Sequence, residues 1–273
     1  MSHDIQGAAD RLLEAYRTGQ PIDPLTPEFA DAPLEAAYRI QQAQVDAWVA
    51  GGDVVRGHKV GLSSKAMQRM AGVNQPDFGH LTQSMFHLEH APIPDGTYIQ
   101  PRVEPEIAFV LGKPLEGPGV TVADAVRAVD FVLPALEIID SRVKDWQIGI
   151  FDTISDNASS GGVVLGSHPV GVTDVDLRMF GCNLHINGEL VATGAGGAVL
   201  GSPINSLVWL ANTIGPLGVR LEAGHVVLPG SFTKAFPLAP GDSIASTLGG
   251  LGSVTAVMGR PEPESDGAEE GTP

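Results

Sequence analysis

The chain has 273 residues, 34 of them Gly and 21 Pro, and is 43% hydrophobic but only 5% aromatic. That composition suits a turn-rich globular protein with an aliphatic core rather than a helical bundle. The 16 Lys and Arg against 32 Asp and Glu leave a formal charge of −16, which repels phosphate backbones and anionic lipid and argues against nucleic-acid or membrane partners.

In chain order, Ile5, Ala8, Ala9, Leu12, Leu13 and Tyr16 recur at helical spacing, with Gly19 as a stop. Pro33 opens a second helix, striped by Leu34, Ala37, Gln41, Val45 and Trp48 and ended by Gly51-Gly52. Residues 1–52 are therefore expected to form a helical cap on a β-rich body over 53–260. In that body, strands are predicted at Val54–Gly61, Tyr98–Leu111, Phe131–Ile139 and Gly162–Leu165. A hairpin follows at Asn183–Ile186 and Glu189–Ala192 about Asn187-Gly188, a type I′ turn signal, and Val226–Leu228 and Val254–Met258 close the unit. Thr121 with Asp124 caps one intervening helix, and Ser202-Pro203 starts another. The fold class is α+β, strand-rich and mixed. From Pro261 to Pro273 acidic residues sit among Pro, Gly and Ser, the composition of a disordered tail. Cys182, the single cysteine, excludes an intramolecular disulfide and reads as a buried thiol. The N-terminus lacks a signal peptide's features and no apolar run approaches the ~18 residues of a membrane span, so a cytoplasmic location is expected.

The chemistry concentrates in Gln100-Pro101-Arg102-Val103-Glu104-Pro105-Glu106-Ile107-Ala108-Phe109. Residues two apart on a strand share a face, so Glu104 and Glu106 stand side by side. Adjacent carboxylates raise each other's pKa unless a cation intervenes. Glu137 interrupts the apolar run Phe131–Ile139 and needs a partner of its own. Spacing alone leaves two readings open, a metal site and a buried salt bridge to Arg102 or Arg142. The scarcity of basic residues able to pair with all three acids favours metal, and oxygen-only ligands favour Mg²⁺, Mn²⁺ or Ca²⁺. Lys59, in Arg56-Gly57-His58-Lys59-Val60-Gly61, either pairs with a Glu, faces solvent or serves catalysis. Gln75-Pro76-Asp77-Phe78-Gly79-His80-Leu81 reads as a turn carrying one carboxylate. The polar stretch from Asp140 to Gly162 is too long for a simple connector and has the character of a site-lining loop.

Lys59–Lys65, Gln75–Gly79, Gln100–Phe109, Glu137–Arg142, Asp145-Trp146, Asp156–Ser159, and Gly194–Gly196 with Leu200–Pro203 occur together in an order that resembles the fumarylacetoacetate hydrolase superfamily. Within it the chain resembles the 2-hydroxypenta-2,4-dienoate (2-keto-4-pentenoate) hydratases. The resemblance implies a distorted barrel-like β fold, Glu104, Glu106 and Glu137 as Mg²⁺ or Mn²⁺ ligands with no organic cofactor, and a symmetric homo-oligomer. It also implies Lys59 and Asp77 as active-site residues for proton transfer, and Ser159 near the substrate carboxylate. The implied reaction is hydration of 2-hydroxypenta-2,4-dienoate to 4-hydroxy-2-oxopentanoate in meta-cleavage catabolism of aromatic compounds or steroids, with possible association with a pathway aldolase or decarboxylase. A sister activity, 4-oxalocrotonate decarboxylation, shares the ligands, and a non-catalytic partner subunit is a further alternative. A C–C hydrolase needs an additional water-activating pair that is not evident. Two departures stand out: Gln83 where relatives often carry an acid, and Pro229 where a small polar residue is commoner.

Overall fold

A computed structural model of the chain describes residues 3–70 and 72–261; the expected acidic tail lies, from Glu262 onward, outside the described residues. The chain begins with α1 (Ile5–Thr18), α2 (Leu34–Ala50), β1 (Val55–Gly61), α3 (Lys65–Met70), β2 (Asp77–Thr82), β3 (Phe86–His87) and β4 (Pro92–Ile93). Next come β5 (Arg102–Leu111), α4 (Val122–Ala128), β6 (Val129–Ile139), α5 (Ile150–Ser155) and β7 (Ser160–Leu165). The last part holds β8 (Gly181–Ile186), β9 (Glu189–Ala195), α6 (Pro203–Ile214), β10 (Val226–Leu228), β11 (Phe236–Pro237), β12 (Ser243–Leu248) and β13 (Gly252–Met258).

The strands form two sheets. The larger follows the order β2-β1-β10-β5-β6-β7-β3 with β11 added to β5, and the smaller follows β4-β13-β12-β8-β9. Most neighbours are antiparallel, but β1 pairs with β10 in parallel across most of the chain's length. Val103, Leu136, Ile138 and Val164 of the larger sheet pack on Leu184, Ile244, Val254 and Met258 of the smaller. Each such buried side chain contributes about 1.5–3 kcal/mol of hydrophobic stabilisation. Because side chains alternate, the residues between them in β5 and β6 point the other way, into the concave side where the acids lie.

The four helices expected from sequence (α1, α2, α4 and α6) form, while α3 and α5 were not expected, α5 lying within the stretch read as a polar loop. Asp4 caps α1, and Gly19 ends it at φ 68°, a left-handed conformation that costs glycine nothing. Thr121 and Asp124 form a reciprocal capping box on α4. Asn187 and Gly188 both have positive φ between β8 and β9, as a type I′ turn requires. α1, α2 and α5 share a cluster containing Leu12, Ile40, Phe151 and Ile154. On the buried face of α2, Gln41 donates to the carbonyls of Phe78 and Ile154, and Gln44 to that of Ser155. Cys182 is buried, as expected. No helix among the described residues is long and apolar enough to cross a membrane.

One local expectation is corrected here. The segment at Asp77 is a fully buried strand, β2, rather than a turn. Its Pro and Gly have turn composition, but antiparallel pairing with β1 overrides it, setting Lys59 opposite Gly79 and Gly61 opposite Asp77.

Candidate metal centre

The register of β5 and β6 assembles the acids. Glu104 stands directly opposite Glu137, and Glu106 opposite Ala135, so all three carboxyls leave one face of the sheet. They bring one oxygen each within 4.8 Å of one another. Glu106 and Glu137 are each 1% exposed, too little for water to solvate two carboxylates. Gly230 N–H donates to Glu106 Oε2 at 2.8 Å, while Glu106 Oε1 and both oxygens of Glu137 have no hydrogen-bond partner.

Lys59 enters from β1 on the same side. Its Nζ lies 3.1 Å from Glu137 Oε1 and donates to the Ala158 carbonyl at 2.9 Å. Glu137 therefore has a basic neighbour, but not Arg102 or Arg142 as the sequence suggested. Arg142 is taken by Asp156, and the Arg102 guanidinium lies 4.3 Å over the Trp146 ring. Asp77, two residues along β2 from the position opposite Lys59, shares that face and is also buried.

The electrostatics follow from one ammonium facing four carboxyls. Burial and the neighbouring charge of Glu137 raise the Glu104 carboxyl to about 7. The same causes, with Glu104 added, hold Glu106 well above the ordinary carboxylate range. Burial also raises Asp77, although Lys59 opposes it. For Lys59 burial works against the charge, yet the facing carboxylates, Glu137 first, prevail and leave it raised. A divalent cation relieves this imbalance. The orphaned oxygens, the all-carboxylate donor set and the convergence of three acids fit a hard ion such as Mg²⁺ or Mn²⁺.

The polar stretch after β6 forms the adjoining wall. Asp140 accepts from the backbone N–H groups of Ile99 and Gln100, joining the end of β6 to the start of β5. Arg142 donates through Nε to Asp156 Oδ1 at 2.6 Å and stacks on Tyr16. Beyond Asp156, three consecutive non-glycine residues adopt left-handed φ: Asn157 at 50°, Ala158 at 52° and Ser159 at 55°. Each costs about 1–2 kcal/mol relative to the right-handed region. Ser159 Oγ lies 3.1 Å from Thr153 Oγ.

Of the residues singled out by sequence, Glu104, Glu106, Glu137, Lys59 and Asp77 converge on one face, and Ser159 lies in the turn whose Ala158 carbonyl holds Lys59. Sequence reasoning missed that carbonyl, the Gly230 N–H and the Asn157 amide, which bonds both backbone groups of His80. Asn157, the one asparagine in a run of small polar residues, was the available signal, because asparagine tolerates the left-handed region. Gln83, the departure noted above, accepts two bonds from Arg56 at the surface.

The profile of the family described as fumarylacetoacetate (FAA) hydrolase C-terminal matches residues 53–258. The chain is 40% identical over 253 residues to a 2-oxo-hept-4-ene-1,7-dioate hydratase of Escherichia coli, covering 90% of this chain and 95% of that one. It is 43% identical over 247 residues to a 2-keto-4-pentenoate hydratase of Paraburkholderia xenovorans, covering 90% and 92%. Among solved structures, 4-oxalocrotonate decarboxylase from Pseudomonas putida G7, complexed with magnesium and adipate, superposes with a TM-score of 0.90 at 34% identity, covering 93% of this chain and 97% of that one.

Proposed function

The chain belongs to the fumarylacetoacetate hydrolase family, and on that premise we propose that it is a divalent-metal-dependent hydro-lyase converting 2-hydroxypenta-2,4-dienoate to 4-hydroxy-2-oxopentanoate. The observation that carries this reading is the convergence of Glu104, Glu106 and Glu137 with Lys59 and Asp77 on one buried sheet face. The hydratase names of relatives at 40% and 43% identity support it, and the magnesium held by the decarboxylase relative supports the choice of a hard ion.

When bound by the three glutamates, a divalent ion supplies Lewis-acid polarisation of the substrate's carboxylate and 2-oxygen. The chain's own groups handle the protons. The 2-hydroxyl loses a proton and carbon 5 gains one, leaving a 2-oxo-3-ene whose carbon 4 is electrophilic; water then adds hydroxyl at carbon 4 and hydrogen at carbon 3. Lys59 Nζ is the proton donor and cationic contact, because its neighbours keep it charged. Asp77, whose carboxyl burial raises above its ordinary range, is the group suited to accept and return a proton. Ser159 Oγ orients the substrate carboxylate. The burial of Lys59 and Asp77 keeps bulk water from solvating them, which strengthens both interactions. The same reading makes the protein a cytoplasmic homo-oligomer in meta-cleavage catabolism.

The test is to add the diene to metal-stripped protein and follow its absorbance with and without Mg²⁺ or Mn²⁺, identifying the product by mass. Metal-dependent gain of one water is the expected result. Absence of diene turnover, with release of carbon dioxide from 4-oxalocrotonate, would overturn the hydratase reading and favour the activity of the 34%-identical relative.

A further inference from the structure

We propose that Asn157 is a positioning residue for Lys59, acting through the left-handed turn that aims the Ala158 carbonyl at the ammonium. The inference rests on the reading of Lys59 as the proton-handling lysine. Asn157 is fully buried, and its side chain behaves as a neighbouring strand would. Its Oδ1 accepts from His80 N–H at 2.8 Å, and its Nδ2 donates to the His80 carbonyl at 2.9 Å. One amide thus satisfies both backbone groups of a single residue on β2, on the strand that faces Lys59.

The surroundings hold the turn to that geometry. Ser160 Oγ donates to the Asn157 carbonyl at 2.7 Å, Ser159 N–H to the Asp156 carbonyl at 2.8 Å, and Asp140 N–H to the Ser159 carbonyl at 3.0 Å. The turn is pressed so closely on β2 that a Cβ on Gly79 would lie 2.4 Å from the Asn157 carbonyl oxygen. Gly79 is also the residue directly opposite Lys59, so the clamp and the lysine meet at one point of the sheet.

The consequence for Lys59 is geometric. A lysine side chain has four rotatable bonds and a symmetric head group, so burial alone does not fix where its ammonium sits. Here two contacts fix it, the hydrogen bond to the Ala158 carbonyl at 2.9 Å and the ion pair with Glu137 Oε1 at 3.1 Å. The carbonyl reaches Nζ because Ala158 is left-handed, a conformation that neither Ala158 nor Ser159 favours by itself. A run of three such residues persists when its surroundings over-determine it, and the Asn157 amide is the side chain that ties this run to β2.

The experiment compares Asn157→Ala, Asn157→Asp and Ser160→Ala with the unmodified protein, all loaded with Mn²⁺ for kinetics and Mg²⁺ for spectroscopy. Asn157→Ala is expected to keep its bound metal and its KM for the diene while kcat falls about tenfold to a hundredfold, the scale of a misplaced catalytic group. In the same variant the slowly exchanging ¹⁵Nζ ammonium signal of Lys59 should broaden or vanish. Asn157→Asp keeps the acceptor for His80 N–H and should recover part of both. Ser160→Ala removes one brace and should shift both in the same direction by less. Should Asn157→Ala not fold, Asn157→Asp and Ser160→Ala still decide the matter. Folded variants with unchanged kcat and an unchanged Lys59 signal would overturn the proposal. If the unmodified protein does not hydrate the diene, the hydratase reading fails, and the Lys59 signal in the variants alone judges the role of Asn157.

Discussion

The β1–β2 pair buries ionisable groups on both of its faces, and the two faces behave differently. On the concave face Lys59 and Asp77 join the three glutamates, and charge of opposite sign is crowded without enough partners. On the other face His58 stands directly opposite His80, with ring centroids 4.8 Å apart, and His225 lies 6.0 Å from His58. Both nitrogens of His58 lack a hydrogen-bond partner too. Burial first, then the neighbouring histidines, hold His58 well below its ordinary range, while burial brings His80 to about 4. A buried imidazole escapes its desolvation cost by staying neutral. The carboxylates do not escape so simply, because Lys59 keeps Glu137 company only at the expense of its own desolvation. Burial is common to both faces; unmet charge that converges on one point is what marks a reactive site.

Substitutions on the concave face should cause the largest effects. Glu106→Gln is expected to lower turnover at saturating metal about 10²- to 10³-fold, since one donor to the ion is lost. In the same variant the metal-free protein should melt at a higher temperature, because a carboxyl that resists ionisation has been neutralised. Turnover and calorimetry on one preparation check both, and a fall in both would contradict the electrostatic account. Lys59→Met should reduce kcat about 10²- to 10⁴-fold and destabilise the protein by about 3–5 kcal/mol, the cost of breaking one side of a buried pair. Chemical denaturation measures the second figure. By contrast, His58→Leu is expected to change kcat by less than about twofold and stability by about 1 kcal/mol in either direction, as a shape-conserving core replacement. A large kinetic loss there would erase the distinction between the faces.

The pH dependence separates the faces more finely. Glu104 has its folded pKa raised from 4.5 to about 7, so the metal-free protein loses that stability as pH rises across this interval. His80 has its folded pKa lowered from 6.5 to about 4, so its contribution is present above 6.5 and is lost as pH falls toward 4. The two slopes oppose each other. Denaturation curves measured from pH 4 to 8 should show Glu104→Gln, or saturating Mg²⁺, removing the first slope. His80→Gln should remove the second and leave the first intact.

Much of the concave face was legible in the sequence, for a simple reason. Glu104-Pro105-Glu106 lies within one strand, where a period of two settles the facing, and Glu137 interrupts an apolar run that has no other use for a carboxylate. That Lys59 pairs with a Glu was among the readings and is borne out, but which Glu was not legible, because Lys59 reaches Glu137 through the parallel β1–β10 pairing, whose residues are far apart in the chain. Asp77 was singled out as a candidate through family resemblance but placed on a turn, since Pro76 and Gly79 carry local turn signals while the strand exists only by pairing. The histidine pair was hidden for the same reason: His58 and His80 meet through register and share no local motif. Left-handed φ at Ala158 and Ser159 contradicts their own preferences, so no reading of propensity could have found it.

The buried glutamines of α2 bear on where this architecture begins. The family profile begins at residue 53, yet the donors that satisfy the carbonyls of Phe78, Ile154 and Ser155 come from Gln41 and Gln44, upstream of that point. Phe78 adjoins Asp77, and Ile154 and Ser155 directly precede the turn that holds Lys59. An α2 kept in place but with apolar residues at positions 41 and 44 would leave three interior carbonyls without these donors, each at a cost of about 1–3 kcal/mol. The hydrogen-bonded interior around Asp77 and the Asn157 turn therefore reaches further toward the N-terminus than the segment that the family profile spans.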